Sequence, residues 1–425
     1  MKQNFSAYLV IATCVAAVAC SRVSEDIVFD EPLIVEEPSL ESSSSRDAAA
    51  KPAPSREKRT SIPVRAGTLT AGDIDDALNL TAFKRMARKA SKTLEMRDLT
   101  SGQSISLVLV GPQDTPAPGA RVTLRRPGAA EPFYSGYTGV GGRLTVFPRL
   151  YGQKPLPKIE LRAFDEFGQT PYIKLLNPDH YSKVVIPFNG GWKPDFLDLA
   201  FVLDTTGSMG DEMAWLTRDL FRIVDQARKV APGVDIRFAL VAYKDHGDTY
   251  VVRNYGFTRN RGTMRGWLRG EDAVGGGDYP EAAAQAMATA VDLNWRRGRG
   301  ERLLFHFADA PPHREDVNQY MRAAKDAALQ GVQIFGLGAS GVATEAEYLM
   351  RQAAIVSGGR YLFLTDDSGV GYAHAEPSVS CYRVTQLSGL LRRVLMSELG
   401  GLRVEAPKKD VIRTVGTYRN GICLN

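Results

Sequence analysis

From Phe196 onward, near-continuous apolar runs alternate with amphipathic stretches, and this constrains the fold more than any other feature of the 425-residue chain. The runs fall at 197–203, 236–243, 303–308, 332–337 and 361–364. A strand that is apolar at nearly every position is buried on both faces, as in a parallel sheet covered by helices. Helical spacing at 213–230, 281–293, 317–329 and 345–356 supplies the covering layers. The fold class expected over 196–400 is therefore α/β, a doubly wound, mostly parallel sheet. Such sheets bind ligands at the carboxyl ends of their strands, near a switch in strand order.

A different pattern precedes it. Over 99–190, Ile105, Leu107 and Leu109 alternate with more polar neighbours, as do Ala120, Val122 and Leu124, then Leu144 and Val146, then Ile159, Leu161 and Ala163. Short alternating strands with Pro/Gly turns predict a β-sandwich. The turns that lead into strands, Pro118-Gly119-Ala120-Arg121-Val122 and Thr138-Gly139-Val140-Gly141-Gly142-Arg143-Leu144, resemble those of carboxypeptidase-regulatory or transthyretin-like sandwiches. That resemblance implies a spacer or docking module. Residues 66–98 read as a helical segment, with Phe83, Met86, Ala87 and Ala90 near helical spacing, and 401–425 as a C-terminal tail.

The first residues read as an export signal. Lys2 precedes a mostly apolar stretch over 8–19 that is short for a membrane span and ends in small residues. Ala17-Val18-Ala19-Cys20 resembles the lipobox of bacterial lipoproteins, which implies cleavage after residue 19 and a lipid anchor on Cys20. Ser21 after that cysteine resembles the outer-membrane class of lipoproteins. Ordinary signal cleavage and secretion is the other reading of the same residues. Residues 20–65, acidic, then Ser-rich, then Pro/Lys/Arg-rich, have the composition of a disordered tether. Of four cysteines, Cys381 and Cys423 are left to pair in an oxidising compartment. A net charge of +5 with no basic run interleaved with aromatics gives no case for nucleic acid.

Three loops carry the chemistry. The first strand ends in Asp204-Thr205-Thr206-Gly207-Ser208-Met209-Gly210-Asp211-Glu212. Hard divalent cations take oxygen ligands, and one acid with two hydroxyls at two-residue spacing offers them. This loop resembles the Asp-x-Ser-x-Ser metal-ion-dependent adhesion site of von Willebrand factor type A domains, with Thr206 replacing the first Ser. The second loop, Gly275-Gly276-Gly277-Asp278-Tyr279-Pro280-Glu281, resembles the Asp-x-Pro-Glu loop of integrin β-subunits, which implies Glu281 as a metal ligand. The third, Phe307-Ala308-Asp309, sets an acid directly after an apolar strand. The metal set implied is Asp204, Thr206, Ser208, Glu281 and Asp309, with Mg²⁺, Mn²⁺ or Ca²⁺ as the ion. For Asp211, Glu212 and Asp278 two readings stand: ligands of a second cation, or, for the first two, an acidic first helical turn. Asp366-Asp367-Ser368-Gly369-Val370-Gly371 reads as a turn-rich loop, and His246 and His313 as surface or hydrogen-bonded histidines. No HExxH or CxxC spacing supports a zinc enzyme.

The function that the resemblance implies is a binding or adhesion module of the bacterial cell envelope. Its cation would be completed by an Asp or Glu carboxylate of a partner protein, and no enzyme activity is expected. A metal-dependent hydrolase and a structural envelope scaffold are the competing readings. The first needs a general base or nucleophile that the sequence does not offer.

Overall fold

The computed structural model describes residues 68–165, 171–178, 180–188, 192–277, 279–339, 341–368 and 377–424. The signal, the tether, Cys20 and Asp278 lie outside the described residues.

The chain enters its main sheet early. Strand β1 (Thr70–Ile74) and helix α1 (Leu80–Thr93) come before the small β domain. That domain contains β2 (Ile105–Val110), β3 (Arg121–Arg125), β4 (Tyr134–Tyr137), β5 (Arg143–Val146), β6 (Ile159–Phe164), β7 (Pro171–Leu176) and β8 (Ser182–Val185). They form two sheets, ordered β5-β2-β8 and β4-β3-β6-β7. Ile105, Leu107, Val122, Leu124, Leu161 and Val184 share one core between them, so the alternating residues of the sequence are the inward-facing ones.

The α/β part follows with β9 (Phe196–Asp204), α2 (Gly210–Ala227), β10 (Asp235–Tyr243), β11 (Val252–Thr258), α3 (Arg261–Gly270), α4 (Ala283–Val291) and β12 (Gly300–Ala308). Next come α5 (Val317–Gln330), β13 (Gln333–Gly338), α6 (Thr344–Ser357), β14 (Tyr361–Thr365), β15 (Tyr382–Gln386), α7 (Leu387–Gly400) and β16 (Arg413–Val415). The sheet has nine strands in the order β11-β10-β9-β12-β13-β14-β1-β15-β16. Within that order the five strands β10, β9, β12, β13 and β14 run parallel. The fold is thus α/β with a mostly parallel sheet, and a β domain precedes most of it.

Burial explains the apolar runs. Every residue of β9 is buried. Ala200 and Val202 face a core shared with α4, α5 and α6, while Leu199, Phe201 and Leu203 face one shared with α2, α3 and α7. Fully burying side chains of this size contributes about 1.5–3 kcal/mol each. Among the described residues no helix is long and apolar enough to cross a membrane.

Two features differ from the sequence reading. The segment 66–98 contains β1 as well as a helix, and β1 lies between β14 and β15, antiparallel to both. Thr-Ala-Gly-Asp-Ile has little strand propensity of its own, so the pairing comes from its neighbours. A β-carbon at Gly72 would lie 2.7 Å from Phe363 Cζ, so any larger residue there would have to displace the buried Phe363 ring. The tail 401–425 supplies β16 and the short pair Tyr418–Arg419 and Ile422–Cys423, and a Cys381–Cys423 disulfide ties it to the start of β15.

Candidate metal centre

Strands β9 and β12 are neighbours, and their carboxyl ends deliver Asp204 and Asp309 to the same edge of the sheet. Asp204 is fully buried and closes β9. Its Oδ1 accepts the Thr206 backbone N–H at 2.9 Å and the Thr206 hydroxyl at 2.7 Å. A tight turn over Gly207–Met209 then leads into α2, leaving Ser208 exposed. The Ser208 hydroxyl favours the charged form of the Asp309 carboxyl.

The second loop is folded onto the first by backbone contacts. Gly207 N–H donates to Gly275 O at 3.1 Å, and Val274 N–H to Thr205 O at 3.3 Å. Gly275 and Gly276 both have positive φ, at 89° and 73°, a conformation that glycine adopts freely. Glu281 follows, buried, with its N–H donating to Pro311 O at 3.0 Å, which joins the second loop to the third. Tyr279 adds a hydroxyl to Asp309 O at 2.8 Å.

Three buried carboxyl groups therefore lie near enough to act on one another through their charges. Burial and then Asp309 push the Asp204 carboxyl up to about 7. Burial, then Asp204 and other acids, push Glu281 up to about 9. Burial also raises Asp309, against the opposing pull of the Ser208 hydroxyl. Asp204 Oδ2 and Glu281 Oε2 are buried without a hydrogen-bond partner. Orphaned buried carboxylate oxygens are costly unless a proton or a cation meets them. Carboxylates with two hydroxyls form the donor set of a hard divalent cation, so the residues fit such an ion.

Asp204, Thr206, Ser208, Glu281 and Asp309 thus come together at one edge. Asp211 is exposed and Glu212 buried, both in the first turn of α2. Asp367 is engaged elsewhere, by Arg413 at 2.9 and 3.0 Å.

Several residues that hold the loops were not anticipated. Lys244 is a buried cation after β10, and its Nζ donates to the carbonyls of Thr205, Asp272 and Val274. Asp248 Oδ2 accepts the N–H groups of Asp245 and Gly276, each at 3.1 Å. Thr205 lies 2.7 Å from the Tyr250 hydroxyl, which donates to buried Glu271 at 2.6 Å. Asp245 and the two histidines are also neighbours, with His313 Nε2 2.5 Å from Asp245 Oδ1 and the two imidazole rings 5.3 Å apart. The signal was the tetrapeptide Asp245-His246-Gly247-Asp248 at a strand end, which shows its use only once the third loop lies beside it. A cavity of about 810 Å³ lies at the other end of the sheet, lined by Gly300, Gln333 and Arg360 at the amino ends of their strands, with none of the oxygen cluster in its wall.

Residues 198–364 match the family model of the von Willebrand factor A domain. Domains of this type commonly mediate protein–protein interaction and often bind a divalent metal. The chain is 32% identical over 119 residues to a putative ariadne-like RING finger protein of Acanthamoeba polyphaga mimivirus, covering 28% of this chain and 11% of that one. It is 22% identical over 203 residues to the alpha-protein kinase vwkA of Dictyostelium discoideum, covering 47% and 32%. The chain therefore spans a third or less of these relatives' lengths. Among solved structures, the conserved hypothetical protein BatB of Bacteroides thetaiotaomicron aligns at 15% identity and a TM-score of 0.32, over 42% of this chain and 91% of that one.

Proposed function

We propose that the von Willebrand factor A domain of this chain captures a partner protein through a divalent cation, Mg²⁺ in the first place, held by Asp204, Thr206, Ser208, Glu281 and Asp309. The observation that carries the reading is the pair of buried, partnerless oxygens on Asp204 and Glu281 within a cluster of carboxyl groups. The bound cation would supply an electrostatic anchor for a carboxylate of the partner. The chain's own residues prepare that anchor. Thr206 orients Asp204, Ser208 favours the charged form of Asp309 from the exposed side, and Lys244 and Asp248 hold the loops together. Exposed Ser208 leaves the cluster approachable by an outside carboxylate.

In this reading the protein is a binding module without turnover. Its lipid anchor at Cys20 and its tether, both read from the sequence, hold it in the cell envelope, in the outer membrane in the first place, with secretion as the other outcome. The test is calorimetry with Mg²⁺ on wild type and Asp204→Ala, beside capture of envelope proteins with and without chelator. Wild type binds the cation and captures a protein only in its presence. Equal Mg²⁺ affinity in both proteins sinks the metal assignment, and chelator-independent capture sinks the anchor.

A further inference from the structure

A second group of metal-ligating side chains stands beside the oxygen cluster and shares none of its residues. Asp245 and His246 follow β10, and His313 follows the third loop. Their ligand atoms all lie within 4.8 Å of one another. We infer that Asp245, His246 and His313 form a zinc-binding site.

Ligand chemistry separates the two sites. Two imidazoles and one carboxylate make a borderline donor set that suits Zn²⁺, while Mg²⁺ keeps to oxygen. Zinc takes such atoms at about 2.0–2.2 Å, so two atoms on one tetrahedral ion stand roughly 3.4 Å apart. His313 Nε2 and Asp245 Oδ1 stand in hydrogen-bond contact at 2.5 Å, and zinc would replace that hydrogen bond as the two atoms open by about 0.9 Å to the tetrahedral spacing. His246 is the exposed member, so the ion has a path from solvent and a coordination position left for water.

The ligands are also held before any metal arrives. Gly247 takes φ 92°, which turns the chain sharply after His246. Asp248 fixes the Asp245 backbone at 3.1 Å. Pro311 and Pro312 stiffen the approach to His313, and Pro312 bridges to Glu281 in parallel. Outside the three ligands, Gln285 Nε2 stands 3.4 Å from His246 Nε2 and donates to Asp316 at 2.8 Å, which sets the outer side of the site. Groups in this position orient metal ligands.

The alternative is a histidine–aspartate hydrogen bond with a neighbouring surface histidine and no metal. Untagged full-length protein in excess Mg²⁺ distinguishes them, titrated with Zn²⁺ by calorimetry and with Co²⁺ as a visible-absorbing probe. Wild type takes up one zinc that displaces the cobalt spectrum. His246→Ala and His313→Asn each weaken zinc binding by at least about tenfold, the loss that removing even an outer-shell partner causes. His246 is exposed, so its variant keeps the wild-type melting temperature and the loss is not one of folding. Asp204→Ala keeps its zinc affinity, so this outcome is independent of the Mg²⁺ reading. No zinc uptake by wild type, or unchanged affinity in either histidine variant, overturns the assignment. Zinc lost in Asp204→Ala but kept in the histidine variants places the ion in the oxygen cluster and overturns it too.

Discussion

Gly276 stands so close to Glu281 that a β-carbon on it would lie 2.8 Å from Glu281 Oε1, and equally close to Thr206 Cβ. The glycine sets how near the second loop comes to the first. Gly276→Ala therefore does two things: it strains a backbone at φ 73° and pushes two candidate ligands apart. The strain alone costs about 1–2 kcal/mol. We expect Mg²⁺ affinity to fall at least about tenfold, since the ion demands near-ideal geometry. Calorimetry against wild type checks it, and an unchanged affinity removes the glycine from the account.

The clustered carboxyls make cation-free protein sensitive to base. Glu281 is raised to about 9 and Asp204 to about 7, first by burial and then by neighbouring acids. Below the ordinary carboxylate range both groups are protonated in the folded and unfolded chain alike. Above it the folded chain binds more protons, so stability falls as pH rises towards about 9. Chelator-treated wild type should lose stability over that interval, and Glu281→Gln should show a shallower slope. Excess Mg²⁺ should flatten the wild-type slope, and its binding should release protons. Denaturant titrations at several pH values measure all of these.

The Cys381–Cys423 disulfide closes a sequence separation of 42 residues. In the chain-entropy account such a closure contributes about 4 kcal/mol. The bond works beside Asn79, whose side chain donates to Gly421 O at 2.7 Å and accepts the Cys423 N–H at 2.8 Å. Replacing both cysteines with serine should lower unfolding stability by up to about that amount. Asn79→Ala should add to the loss, because buried backbone groups of the tail would lose their partners. Cation affinity should stay unchanged in both, since the site lies on other loops.

Asp73 in β1 meets Arg360 at 3.3 Å and Arg403 at 3.2 Å. Burial opposes its charge, but Arg403, Arg360 and Arg393 outweigh that and hold the carboxyl below its ordinary range. Its contribution to stability is complete above that range and disappears as pH falls through the lowered value. Asp73→Asn should cost about 3 kcal/mol at neutral pH by leaving buried guanidinium groups short of a partner. The gap between variant and wild type should close in acid. Paired pH-dependent melts would expose a gap that persists.

What could be read from the sequence follows from where each signal resides. β9, β10, β12, β13 and β14 are buried on both faces, so the run of apolar residues is itself the signal. The candidate ligands could be found because they come in short local groups, such as Asp204 with Thr206 and Ser208. β1 could not, since Gly72 is chosen by Phe363 from far along the chain. Helix α7 was hidden because Arg393, Ser397 and Glu398 are polar yet buried, held by partners such as Thr385 and Arg360. Lys244 and Asp248 act on backbone groups of a loop about thirty residues away, as the separations of 30 and 28 show, so no local motif marks them. His313 meets Asp245 across 68 residues, and each looked ordinary alone.

The place of the β domain between β1 and β9 bears on how the chain assembles. Thr70 pairs with Thr365 across 295 residues, so β1 reaches its place beside β14 only by closing a very long loop. Closing so long a loop is entropically costly, and contacts of such separation slow folding. The β domain has its own core, and its pairings are nearer in sequence. Once folded, it turns much of that loop from loose chain into one solid body, which shortens the flexible path β1 must close. The insertion then acts as a splint for that closure, and β1 is the rung by which β15 and β16 are attached to the rest of the sheet.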